Sequence, residues 1–485
     1  MDYLNKSITE LHELIVKGII TPEFLVKSAI EKAKSDTNNA FEYICEKEAL
    51  KKVKNLDKSL INSPFFGIPV VIKDNFSTKD IPTTASSDML ANYVPIFSSE
   101  VVLRLEAQGA IIIGKTTLDE LAMGGTGTTG HKGTTYNPWD PEHKRMIGGS
   151  SCGSAAAISA GIVPLAIGSD TGDSVRKPAS YSCLVGFKPT WSRISRFGLF
   201  PFATSLDHVA FFTRNVKDAA ITLNVLAGHD EKDASSSFEE VKDYTSKLSH
   251  SIKGKKIAVV KEIIDAIEDK DIIEVFNQTL SSLKKEGAII NYVSVDRLLL
   301  RAIYPTYMII SSAEATSNNA CLDGIKYGKR IEGKTFQEML INTRSAGFSE
   351  RIKRRFVIGS FSLLKENTDE LFLRAQKCRR LIVNAFNKIL ETNDAIYCPA
   401  SPTTAPLFEA SCNPDSDNFL IGENYLAFAN MGGLPSITIP IGFKEGLPFG
   451  GNLTSKIFSE DELLSLASSL EKICEYKDHI AGDNK

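Results

Sequence analysis

The chain lacks several features, and each absence narrows its chemistry. Eight cysteines are scattered over 485 residues, and no two form a CxxC pair. Neither a zinc site nor a disulfide framework is therefore indicated, and a reducing, cytoplasmic setting is expected. Long apolar runs are missing: none reaches the ~18 residues that a membrane span needs. The opening MDYLNKSITELHEL has no basic stretch followed by an apolar core, so it does not read as a signal peptide. An excess of positive charge is absent too. The formal net charge of -3 leaves no footprint for broad nucleic-acid binding, so if RNA is handled, another chain is expected to supply most of the phosphate contacts. Histidine is scarce, with seven in all, and none is well placed as a catalytic base.

What remains is an ordinary globular composition, 42% hydrophobic and 24% charged. Residues 6–36 carry two helical patterns divided at Thr21-Pro22, a cap followed by a proline that suits the first helical position. A lysine-rich helix is predicted over about 46–61, giving a helical layer across 1–62. The run FFGIPVVIKDN (65–75) reads as a strand that ends at Lys73. A helix near 98–108, a strand over 109–114 and a helix from Thr116 should follow. Then come an alanine-rich helix (152–161), a core strand (162–168), a helix opened by Ser174, and a strand at 184–189. The polar stretch 229–254 reads as an internal boundary of a main domain spanning 63–475. Beyond it lie a strand–helix–strand unit, a helical segment over 330–395, two strand patterns (AIYCPASP, SITIPIG), a helix at 460–474 and a frayed tail over 476–485. Strands alternating with helices imply an α/β fold around one large sheet.

The chemistry concentrates between Gly148 and Pro189. Two serine clusters, GGSS (148–151) and GSDTGDS (168–174), flank a small-residue helix and a core strand. Two tempting motifs fail nearby. GAIIIGKT (109–116) matches the phosphate-loop pattern, but its spacer is a β-branched run that prefers a strand to a cradle of free amides. GSSCG (149–153) fits a nucleophile elbow around Ser151, with His208 or His229 as partners. That elbow requires a strand directly before it, and PEHKRMIGG is not one. Lysine is the remaining base. A free lysine is protonated at neutral pH, yet desolvation lowers its pKa and yields a neutral amine. Lys73 at a strand end, Ser150 as a relay and Ser174 as nucleophile meet that requirement. Amides around Thr171, Gly172 and Asp173 would stabilise the oxyanion.

These residues resemble the amidase-signature family through FGIPVVIKDN, GGSS and GSDTGDSVRKPA. The likeness spans roughly 5–475. It implies a large mixed sheet flanked by helices on both sides, with a Ser–cis-Ser–Lys triad: Ser174 the nucleophile, Ser150 the bridge, Lys73 the base. LDELAMGG (118–125), SLDHVAFFTRNVKDAA (205–220) and NMGGLPSITIP (430–440) resemble the family's glutaminase branch. That branch implies hydrolysis of glutamine to glutamate and ammonia. The ammonia passes to a B subunit that binds the tRNA, uses ATP and Mg, and converts mischarged Glu-tRNA(Gln) to Gln-tRNA(Gln). A small C subunit completes a heterotrimer, and this chain needs no cofactor or metal of its own. By resemblance, Tyr307, Arg355 and Glu423 hold the charged ends of the amino acid, beside Met123 and Gly124. Arginine suits an α-carboxylate because its fork reaches both oxygens. A stand-alone amidase acting on another small amide, and a catalytically weakened scaffold protein, are the alternatives.

The sequence departs from the family at several positions. Where GGS is usual, this chain has Gly172-Asp173-Ser174. A carboxylate ~5 Å from a developing oxyanion costs roughly 3 kcal/mol at an effective dielectric near 20. That is on the order of a hundredfold in rate. Lys177, four residues on, is spaced to form a helical pair with Asp173, which is expected also to cap the helix. Cys152 replaces a usual glycine and reads as a small packing residue. Gly450-Gly451-Asn452 departs from a common glycine–apolar–glutamine ending.

Overall fold

β-Branched and aromatic runs form the strands of this protein, and the polar, glycine-bearing turns between them set the strand ends. The structure is a computed structural model that describes residues 2–482. Its strands are β1 (Phe41–Ile44), β2 (Pro69–Lys73), β3 (Ile111–Thr116), β4 (Leu165–Asp170), β5 (Val185–Lys188) and β6 (His208–Thr213). The rest are β7 (Lys256–Val260), β8 (Ile289–Val293), β9 (Ala395–Pro399), β10 (Ser436–Lys444) and β11 (Leu447–Ser455). All belong to one sheet, in the order β1-β3-β2-β4-β6-β5-β10-β11-β9-β7-β8. The sheet is mixed: β3, β2 and β4 run parallel, as do β9, β7 and β8, and the strands between pair antiparallel.

Helices cover both faces. Alternation along β10 sends Ile437 and Ile439 into the core shared with Leu463, Leu464 and Leu470 of the helix Glu460–Cys474. Ser436, on the opposite face, meets Arg176 of the helix Arg176–Tyr181. The expected α/β sheet is therefore present, and the final helix falls where its apolar period places it.

Several expectations are corrected. No α-helix begins at Thr116, which ends β3; only a single 3-10 turn, Glu120–Ala122, follows. Leu121 and Ala122 have φ of 52° and 61°, outside the right-handed helical region. Ser174 does not open a helix. The helix starts at Arg176, because the Asp170 carboxylate takes the Val175 amide at 3.0 Å. The layer over 1–62 is not purely helical, since β1 joins the sheet edge against β3. Its lysine-rich helix stops at Lys54 and resumes as a 3-10 turn, Lys58–Asn62, capped by Asp57. Strands β6 and β11 have no counterpart among the sequence-predicted elements, and both lie inside the sheet. The tail is docked as far as it is described. The Asp478 amide donates to the Arg214 carbonyl, the Ala481 amide to the Ser159 carbonyl, and Ile480 is buried. Residues 483–485 of the expected frayed tail lie outside the described residues.

The rejected phosphate-loop motif is strand β3, and its lysine is structural. Lys115 is fully buried, 2.9 Å from Asp74, and donates to the Phe76 carbonyl and the Thr83 hydroxyl. Removing one partner of a buried pair strands the other charge, at a cost of about 3–5 kcal/mol. Lys115→Met should lower unfolding stability by that order in chemical denaturation; an unchanged midpoint would show the pair to be dispensable.

Candidate active site

The site lies at the carboxyl ends of neighbouring parallel strands, where α/β sheets open their crevices. Register places Ile72 of β2 beside Ile167 of β4, so Lys73 leaves its strand level with Gly168 and its amine reaches Ser169, one residue further on. Lys73 is wholly buried. Its Nζ lies 2.8 Å from Ser150 Oγ, 2.9 Å from Ser151 Oγ and 2.9 Å from Ser169 Oγ. No carboxylate pairs with it among the described residues. Burial pulls its pKa down to about 7, against the weaker opposing influence of Cys152, Asp119, Asp170 and Asp207.

The hydroxyl arrangement suits a neutral amine. Ser151 Oγ donates to the Ser169 carbonyl at 3.1 Å, so it accepts from Lys73. Ser169 Oγ accepts from Asn75 Nδ2 at 3.0 Å and from Lys73. A neutral lysine has two N–H donors and one lone pair. With both donors committed to Ser151 and Ser169, the lone pair faces the Ser150 hydroxyl. The peptide bond from Gly149 to Ser150 is cis.

Ser174 sits beside this cluster, its carbonyl accepting the Ser151 amide at 3.2 Å. Its nearly buried hydroxyl has no hydrogen-bond partner among the described residues. Burial removes two competing groups, Cys152 and His208, while the third, His229, is exposed. The Cys152 thiol is pushed up to about 12 by burial. His208 is held neutral by burial, with Nδ1 2.7 Å from the Leu206 carbonyl, while His229 stacks on Phe238.

The turn carrying Thr171, Gly172 and Asp173 is held from behind. Asp170 binds Arg176 through both carboxylate oxygens, Oδ2 to Nε at 3.1 Å and Oδ1 to Nη2 at 3.0 Å. Desolvation of Asp170 is outweighed by this guanidinium, and its carboxyl stays well below the usual range. Arg176 also donates to the Gly172 carbonyl at 2.6 Å, the Leu426 carbonyl and Asn430 Oδ1. Thr171 Oγ1 donates to Asp207 at 2.7 Å. With carbonyls and side chains thus occupied, the amides of Thr171, Gly172 and Asp173 donate to no protein acceptor among the described residues.

Asp173 pairs with Lys177 at 2.7 Å, as the spacing suggests. It does not cap the helix; Asp170 does, since its reach to Val175 and Arg176 is fixed by the ion pair. Glu423 is drawn to the same lysine at 2.9 Å. Tyr307 lies against the turn, where a Cβ on Gly172 would meet its ring at 3.1 Å. The Arg355 guanidinium is turned inward from its helix, over the rings of Phe202 and Tyr307. It donates to Ser311 Oγ and the Met123 carbonyl, and no carboxylate pairs with it among the described residues. Met123 is buried, and Gly124 packs against Asp119, where a Cβ would come within 2.4 Å.

Sequence reading missed Asp119, Asp170, Arg176 and Asn430. Asp119 gathers the amides of Thr126, Gly127, Thr128 and Thr129 and shapes the loop after Met123. An aspartate before a Gly/Thr-rich loop is a turn signal that could have marked it. Asn430 bonds Asp170 from a helix 260 residues away, which no local pattern reveals.

The sequence profile of the family described as Amidase matches residues 24–464. The chain belongs to this amidase-signature family. It is 40% identical, over 100% of both chains, to a protein of Streptococcus pneumoniae (strain 70585) that is named as the A subunit of glutamyl-tRNA(Gln) amidotransferase. It is 41% identical to the protein of that name from Lactobacillus delbrueckii subsp. bulgaricus, over 97% of each. The crystal structure of the Thermotoga maritima protein of that name superposes with a TM-score of 0.80 and 35% identity, covering 97% of this chain and 95% of that one.

Lysine serves as a base only when unprotonated, so activity should fall as pH drops through its pKa. With Lys73 near 7, kcat/KM for an amide substrate should decline about tenfold per pH unit below that value and level off above it. A profile flat from pH 5 to 8 would exclude Lys73 as the titrating base.

Proposed function

We propose that this chain is the glutaminase component of a tRNA-dependent amidotransferase, working in the cytoplasm. The observation that carries the reading is the buried Lys73 amine 2.8 Å from Ser150, beside an unpartnered Ser174 hydroxyl. Likeness over 97–100% of the chain to proteins named as the A subunit of glutamyl-tRNA(Gln) amidotransferase supports the assembly and, with it, the substrate.

In this reading the carboxamide of glutamine lies over the 171–174 turn. Ser174 Oγ attacks the amide carbon, passing its proton through Ser150 to Lys73. The oxygen of the tetrahedral adduct is met by the free amides of Thr171, Gly172 and Asp173. Lys73 returns the proton through Ser150 to the leaving nitrogen. The C–N bond breaks, and ammonia departs from a Ser174 ester. Water then repeats the sequence and releases glutamate. Arg355 holds the α-carboxylate, since its outer nitrogens face no acid of the protein. Tyr307 lines the same pocket, and Glu423 offers a carboxylate to the α-ammonium. Ammonia goes to a B subunit that uses ATP and Mg on mischarged Glu-tRNA(Gln), with a C subunit bracing the pair. Among the described residues no cluster of three or more His, Cys, Asp or Glu is arranged to hold a metal ion.

The scaffold alternative rested on a free Asp173 carboxylate, and that carboxylate is ion-paired with Lys177 at 2.7 Å. Hydrolysis of labelled glutamine by the complex co-purified with this chain tests the proposal. Ser174→Ala should reduce it by about a thousandfold or more. Near-normal hydrolysis by that variant would overturn the proposal.

A further inference from the structure

Lys177 has more work than balancing one neighbour. Its side chain is almost completely buried, and all three ammonium protons are committed. One goes to Asp173 Oδ2 at 2.7 Å, one to Glu423 Oε1 at 2.9 Å and one to the Glu423 carbonyl at 2.7 Å. Asp173 belongs to the turn whose amides are free, and Glu423 arrives from a segment 246 residues further on. Both carboxylates keep one oxygen without a protein partner among the described residues. Neither is fully buried, at 21% and 27% side-chain exposure. The two carboxylates facing Lys177 hold it firmly charged despite its burial.

We propose that Lys177 is a positioning residue for the chemical step: it holds the Asp173 carboxylate away from the oxyanion amides, while Glu423 on its other side keeps one carboxylate oxygen for the substrate's α-ammonium. The inference rests on the glutaminase reading. Two carboxylates and one ammonium leave one net negative charge on this wall, and Arg355 carries the opposite charge over the ring of Tyr307, which itself touches the Gly172 turn. A zwitterionic amino-acid amide meets that polarity with both of its charged ends. Loss of the lysine has separable consequences. Asp173 is freed to face the developing oxyanion, which slows the chemical step. The wall meanwhile gains negative charge, which does not weaken attraction for an ammonium. The turnover number should therefore fall while KM does not rise. General damage to packing would raise KM as well, and removing Asp173 would not repair it.

A double-mutant cycle on glutamine hydrolysis by the co-purified complex separates these outcomes. Lys177→Gln should lower kcat on the order of a hundredfold without raising KM. Lys177→Arg, which keeps the charge, should stay within about tenfold of wild type. Lys177→Gln combined with Asp173→Gly should recover most of the lost kcat, because the offending carboxylate is gone. Additive losses in the double variant, or a rise in KM matching the fall in kcat, would overturn the proposal. Wild-type complex that hydrolyses glutamine while the cycle is additive removes only the role of Lys177. A wild-type complex that hydrolyses no glutamine removes the glutaminase reading and this inference together.

Discussion

The ion pair between Asp170 and Arg176 is the contact on which the site's geometry depends. Both side chains are fully buried, and the two-point contact fixes direction as well as distance. Asp170 ends β4, so it ties the sheet to the turn that follows. Its carboxylate also accepts the Val175 and Arg176 amides, which delays the helix until after Ser174. Arg176 carries the same constraint to the Gly172 carbonyl and to Asn430. The amides of the turn are left without protein acceptors. Buried ion pairs seldom add much net stability, but they specify one arrangement at the expense of others.

Four buried lysines show how partners decide charge. Lys115 and Lys177 face carboxylates, and each stands in an ion pair. Lys188 faces the Leu434 and Pro189 carbonyls, and burial drives its pKa far down. Lys73 faces hydroxyls alone, apart from one distant carbonyl, and burial brings it to about 7. Only the last combination yields an amine that can alternate between its two forms near neutral pH. A carboxylate against Lys73 would lock it as a cation, and full apolar burial would hold it neutral. The three serines occupy the middle ground.

Much of this was legible along the chain. The strand ending at Lys73, the two serine turns, the false phosphate loop and the Asp173–Lys177 spacing all follow from local pattern, because strand and helix periods are local properties. The helix at 460–474 and the proline-led helix at 22–34 follow from the same rule. The missed elements depend on their neighbours. β6 is a short apolar run held between β4 and β5, which pair with it on either side. β11, with Gly450 and Gly451 in its middle, has weak strand propensity and exists because β10 and β9 hold it from either side. The 476–482 tail looks unstructured by composition, yet its amides find carbonyls on distant segments.

The sequence by itself determined the chemical parts: a lysine at a strand end, small residues that let backbones approach, and hydroxyls on two turns. It also determined that Asp173 and Lys177 would meet, since four residues span one helical turn. Only the tertiary structure decided the rest. Whether Lys73 is neutral depends on the burial and partners that β4 and the 149–151 turn supply. Whether the 171–173 amides are free depends on Arg176 reaching Leu426 and Asn430 across 250 and 254 residues. Glu423 meets Lys177 only because the chain returns to the same wall. Ionisation and hydrogen-bond supply are properties of a surrounding volume, and a linear pattern does not contain the neighbours that fill it.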